Sequence, residues 1–139
     1  MTTQTRIDFA TLERPAKPNT FLMAPDGLCK AAKADVSPPV FGVAAAKLRQ
    51  EFLNIVIAQP RVSHTFADER GLYDDFVARS ALLRFPDLVS VQFLDLNKGQ
   101  STLALYARAV YGYSDMGVNR ARSLDWLTRL KRVLKPVDA

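Results

Sequence analysis

Two kinds of hydrophobic spacing run along this chain, and a stretch without either precedes them. Residues 1–38 carry Pro15, Pro18, Pro25 and Pro38 and show little periodicity. This predicts an extended arm that lies on the domain or is partly disordered, with Phe9, Phe21, Leu22 and Met23 as candidate anchors. In "SPPVFGVAAAKLRQEFLNIV" the positions Phe41, Ala44, Ala45, Leu48 and Phe52 recur at helical spacing. A first helix is therefore expected over about residues 39–54, capped by Ser37 and with the prolines in its opening turn.

The spacing then changes to alternation, which predicts four strands bounded by turn residues. "VSHTFAD" sets Val62, His64 and Phe66 against Ser63 and Thr65. "YDDFVARSALLRF" reads as one long strand with Phe76, Ala78, Ser80 and Leu82 on one face. "LVSVQFLDL" places Val89, Val91 and Phe93 together. "STLALYARAVY" places Leu103, Leu105, Ala107 and Ala109 on one side and Tyr106 and Arg108 on the other. Turns are expected at Glu69-Arg70-Gly71, Pro86-Asp87 and Asn97-Lys98-Gly99.

Helical spacing returns from about Asp115 to Lys135, with Val118, Ala121, Leu124, Leu127, Leu130 and Leu134 as the buried stripe, widened by Trp126 and Val133. Pro136 ends it. Short turns favour an antiparallel meander. The expectation is a two-layer α+β domain over residues 39–139: four antiparallel strands, one helix before and one after, both on one face, with residues 1–38 as the arm.

Composition changes this picture little. At 139 residues the chain has the size of one domain and can bury roughly two-thirds of its unfolded surface. Cys29 is alone, so no intramolecular disulfide forms. No apolar run approaches the roughly 18–20 residues of a membrane span, and the first twenty-five residues hold no continuous apolar segment. These features together lead to a cytoplasmic expectation. Net charge is +5, and from Met116 onward Arg120, Arg122, Arg129, Lys131, Arg132 and Lys135 are opposed by Asp125 and Asp138 alone. Such a basic helix suits a membrane surface, nucleic acid or an acidic protein partner. It equally suits a solvated face that complements the helix dipole.

Most catalytic chemistry has no visible carrier. One histidine and one cysteine do not make a zinc site, and neither a metal nor a cofactor is expected. His64 reads as a half-buried strand histidine with no matched partner. Asp74 and Asp75 are adjacent, so on a strand they point to opposite faces and cannot share a proton. No serine stands in a G-x-S-x-G elbow, and no catalytic residue is assigned.

"GYSDMGVNRAR", residues 112–122, is the remaining candidate. Gly112 and Gly117 have the spacing of a phosphate loop, but Val118-Asn119 stand where Lys-Ser/Thr would follow, which excludes nucleotide hydrolysis. Two readings stay open. Gly112, Ser114, Asp115 and Gly117 form a helix cap and structural joint. Alternatively, the helix N-terminus binds a small anion with Arg108, Ser114, Asn119 and Arg120 around it.

"YGYSDMGVNRAR" resembles the signature of the domain of unknown function numbered 1499, with Gly112, Ser114, Asp115, Met116, Gly117, Val118, Asn119 and Arg120 in the matching order. "RFPDLVSVQF" resembles a second segment of that family through Phe85 and Asp87. The resemblance spans about Pro18 to Leu134. The chain departs from it at Ala107-Arg108-Ala109, where many members have hydroxyl residues around the arginine, and at "APDGLC", which keeps one cysteine of two. The resemblance implies no catalytic residues. The sequence thus points to a non-catalytic binding or accessory module. The alternatives are a small-molecule or anion-binding protein, an enzyme included, using the joint at residues 112–122, and lipid or nucleic-acid contact through the basic helix.

Overall fold

The structure is a computed structural model, and it describes residues 6–137. The chain folds as an α+β domain built on one five-stranded sheet: β1 (Thr20–Met23), β2 (Val62–Asp68), β3 (Tyr73–Arg79), β4 (Pro86–Asp95) and β5 (Ser101–Ala109). Two helices, α1 (Ala45–Ile57) and α2 (Val118–Val133), pack on one face of it. The strand order is β1-β5-β4-β3-β2, and every pairing is antiparallel. Among the described residues, no helix is long and apolar enough to cross a membrane.

The strand count is the first correction to the sequence reading. The fifth strand lies inside the segment expected as an arm, where Thr20–Met23 pairs with β5 from Thr20↔Arg108 to Met23↔Leu105. Phe21, Leu22 and Met23 are all buried, because Phe21 and Met23 face the helices while Leu22 faces the rest of the arm.

The expected long second strand also shortens. It ends at Arg79, and Ser80–Phe85 forms a loop in which Leu82, Leu83 and Phe85 are exposed. β2 carries a bulge between His64 and Phe66: His64 pairs with Phe76, and Phe66 pairs with Asp75. The extra residue flips the alternation, so Val62 and His64 lie toward the helices and Phe66 lies on the opposite face.

Both helices begin later than their spacing predicts. The segment before α1 is not helical: Phe41 is bridged to Ser101 and Pro136, and Ala44 is extended. Ser37 bonds Asp26 instead of capping α1, and the Asp95 carboxylate at the end of β4 receives the Ala45 N–H at 2.8 Å. α2 starts at Val118 and buries Asn119, Ser123, Trp126, Leu127 and Leu130. Val118 and Val133, expected inside, are exposed.

The helix-side core gathers Phe21, Phe41, Leu48, Phe52, Phe76, Val91, Phe93, Leu103, Leu105, Trp126 and Leu130. The opposite face is closed by a smaller apolar cluster, in which Phe9 and Leu12 of the arm meet Leu22, Tyr73, Ala104 and Tyr106.

Candidate functional site

The joint at residues 112–122 is assembled from the end of β5, an irregular loop and the first turn of α2. Gly112 (φ 87°) and Gly117 (φ 79°) both need the left-handed region that glycine enters without strain. Gly117 is the residue on which α2 opens, yet the capping group is Asp115. Its Oδ1 accepts the Gly117 N–H at 2.9 Å, and its Oδ2 accepts the Asn119 N–H at 3.2 Å. The Ser114 hydroxyl receives the Met116 N–H at 3.2 Å. The donors of the helix start are thus turned toward this chain's own side chains.

From the cap a polar chain runs into the domain. The buried Asn119 amide donates to Asp115 Oδ2 at 2.8 Å, and its oxygen accepts from Arg122 Nη1 at 3.1 Å. Arg122 Nη2 then pairs with the Asp87 carboxylate at 2.9 Å. Burial pushes Asp87 above the usual aspartate value, and the Arg122 guanidinium pulls it back. The two segments that carry the family resemblance, around Asp87 and around Asp115, therefore meet through Arg122 and Asn119.

The expected anion-site residues do not converge. Ser114 and Asn119 belong to the joint. Arg120 is exposed, with its guanidinium 5.4 Å from the Phe21 ring centroid. Arg108 lies on the far side of the sheet, where Nη1 donates to Ser90 Oγ at 2.9 Å and to the Tyr106 carbonyl at 3.1 Å. Arg108 follows Tyr106 in alternation, away from Leu105 and Ala107, and the helices cover the latter side. That alternation was readable in the sequence and already separated Arg108 from the start of α2.

Two further polar clusters escape sequence reasoning. On the helix side, Arg49 of α1 grips Asp74 with Nε at 2.7 Å and Nη2 at 2.9 Å, and His64 Nε2 lies 2.8 Å from the same carboxylate. The His64 ring stacks on Phe76 at 4.9 Å. On the arm side, Asp75 accepts Tyr73 Oη at 2.7 Å and Ser90 Oγ at 2.6 Å, with Arg6 Nη1 at 3.5 Å. Ser90 thereby links Asp75 to Arg108. Burial raises the Tyr73 phenol and lowers the Arg108 guanidinium from their ordinary values. Asp74 and Asp75 do point to opposite faces, and both are fully buried. The available signal was two acids inside a strand flanked by Tyr73, Phe76 and Val77, a setting in which a carboxylate needs a partner.

A cleft of about 430 Å³ lies beside this second cluster, between the arm (Arg6–Ala10) and Phe66, Tyr73, Gln92 and Leu94. Among the described residues, no group of His, Cys, Asp and Glu is arranged to hold a metal ion.

The sheet and helices are similar in fold to the crystal structure of Ara h 8.0201, with a TM-score of 0.54 and 9% identity over 82% of this chain and 95% of that one. A DUF4468 family protein from Bacteroides ovatus aligns over 56% of each chain at 18% identity, with a TM-score of 0.29, too low to argue a shared fold. A comparison with curated protein sequences finds no match. The sequence profile of a protein family of unknown function, DUF1499, matches residues 12–130, a span that includes the Asp87–Arg122–Asn119–Asp115 chain, all of α1 and most of α2. The chain belongs to the DUF1499 family.

Proposed function

We propose that this protein is a non-catalytic binding module whose recognition surface is the end of the sheet formed by the β3–β4 and β5–α2 loops. One contrast carries the reading. The groups able to do chemistry are closed on one another, as in Arg49–Asp74–His64 and Asp115–Asn119–Arg122–Asp87. Most of the large exposed apolar side chains meanwhile stand on those two loops. A surface of that kind marks an interaction site more often than a reaction centre. The polar chain from Asp87 to Asp115 then serves to hold both loops in place. Screening the purified protein for esterase, phosphatase and other hydrolase turnover tests the reading. Turnover abolished by His64→Gln or Asp75→Asn in a folded protein would refute it.

Arg108 favours a second reading, a small-anion site. Its guanidinium is largely desolvated, and its contacts are a hydroxyl, a carbonyl and the Tyr106 ring at 5.1 Å. An anion would meet it on the arm face, apart from Ser114, Asn119 and Arg120. Phosphate, sulfate and carboxylates should then raise the melting temperature of the native chain but not of Arg108→Gln. Equal shifts in both, or none, would remove this reading.

A further inference from the structure

The end of the sheet named above combines exposed apolar tips with arginines that lack acidic partners. Leu82 is 88% exposed, Leu83 63%, Tyr113 67% and Met116 89%. Phe85 and Tyr111 stand between the two loops, with ring centroids 5.8 Å apart, and the Val110 N–H bonds the Pro86 carbonyl. The two loops therefore meet at Phe85 and Tyr111, with the other exposed apolar side chains on the same two loops. Single exposed leucines are ordinary on a protein, whereas a grouping of several marks an interaction surface.

Charge narrows the occupant. Arg61, Arg79 and Arg84 line the same end: the Arg79 N–H bonds the Arg61 carbonyl, and Arg79 Nη1 bonds the Arg84 carbonyl. Arg120 stands in the first turn of α2, with its guanidinium 5.4 Å from the Phe21 ring centroid. Among the described residues, none of these guanidiniums is ion-paired. The acids of the same segments face inward, Asp87 to Arg122 and Asp115 to the Gly117 and Asn119 N–H groups. Among the described residues, the surface at this end therefore combines apolar tips with unpaired arginines, and its acids are engaged by this chain's own donors. Arg61, Arg84 and Met116 also hold positive φ (59°, 60° and 56°), a backbone region that non-glycine residues seldom occupy.

Resting on the binding-surface reading, we infer that this end docks on an anionic lipid surface, with Leu82, Leu83, Phe85 and Met116 entering the interface, Tyr111 and Tyr113 at headgroup level, and Arg61, Arg79, Arg84 and Arg120 on the phosphates. Apolar tips ringed by tyrosine and arginine match the layering of a membrane interface. Anionic headgroups supply the charge that the arginines lack. A protein groove would satisfy the apolar tips but needs its own acids at four separate places. Lipid provides negative charge over the whole plane.

The test uses the full chain with phosphatidylcholine vesicles, with and without phosphatidylserine. Binding should require phosphatidylserine and fall as salt rises. Leu82→Ser with Met116→Ser should reduce partitioning about tenfold or more. The melting temperature should stay unchanged, since both side chains are almost wholly in solvent. Leu82→Trp should shift its emission to the blue on binding, whereas native Trp126, buried in the core, should not respond. Three results would overturn the inference. One is no binding to phosphatidylserine vesicles. Another is binding lost in Lys131→Glu with Arg132→Glu but kept in the loop variant, which would assign the lipid to the C-terminal helix. The last is self-association removed by the loop substitutions, which makes a second copy the occupant. That last result leaves the binding-surface reading intact, whereas turnover in the hydrolase screen refutes that reading whatever the vesicles show.

Discussion

The two faces of the sheet are closed by different means. On the helix face, Phe52 meets Phe76, Phe93 and Trp126 with ring centroids 6.0, 5.5 and 6.1 Å away, and the layer is held by apolar burial. On the arm face, a smaller apolar cluster is joined by polar contacts that pin an irregular segment. Ile7 N–H bonds Tyr73 Oη, Tyr73 bonds Asp75, and Arg14 reaches Thr20, the Lys33 carbonyl and Asp35. A helix brings its own backbone hydrogen bonds and needs only an apolar stripe to dock. An arm without them needs side chains to fix its path.

Substitutions sharpen that contrast. Phe52→Ala should cost most, about 4 kcal/mol in denaturant unfolding, because a buried aromatic leaves a cavity among three rings. Asp75→Ala should approach it at about 3 kcal/mol, since Tyr73 and Ser90 lose their buried acceptor. A cost under about 1 kcal/mol would show that the polar cluster does not hold the arm face.

Arg122→Ala comes next, at about 2 kcal/mol near neutral pH, and its cost should depend on pH. Asp87 already titrates above the usual value, and removing Arg122 raises it further. A raised carboxyl favours folding when protonated and loses that contribution as pH rises through the folded value. The deficit of the variant should therefore shrink as pH falls through the raised Asp87 value. A deficit constant with pH would mean that Arg122 acts by packing alone.

Legibility in the sequence follows the same divide. Val89, Val91, Phe93, Leu103, Leu105 and Ala107 alternate because one side meets the helices, and their faces match the spacing. Thr20–Met23 escapes because Phe21, Leu22 and Met23 are buried on both sides, so no alternation marks a strand. The Ser80–Phe85 loop imitates a strand through apolar residues that are exposed. One inserted residue at the β2 bulge turns Phe66 to the other face, which no spacing rule anticipates. The start of α1 was hidden because its cap is Asp95, fifty residues downstream. At the joint, the sequence marked the glycines and offered Ser114 or Asp115 as the cap. It could not reveal that Asn119 turns inward to connect Asp115 with Arg122, because a polar residue at the start of a helix reads as exposed.

The smallest effect isolates that cap. Asp115→Ala should cost about 1 kcal/mol, the usual value for a lost N-terminal capping side chain. The loss should appear first as faster amide exchange at Gly117 and Asn119, because those N–H groups lose their acceptor. Asp115→Asn should restore part of it. An amide keeps one acceptor oxygen, but its NH2 must face either the Gly117 N–H or the Asn119 donors. Since Asn119 also holds Arg122, a cost well above about 1 kcal/mol would mean that the disturbance travels along Asn119 to the Arg122–Asp87 pair. Combining Asp115→Ala with Arg122→Ala separates the cases: additive losses confine Asp115 to capping, and a smaller combined loss makes the joint one coupled unit.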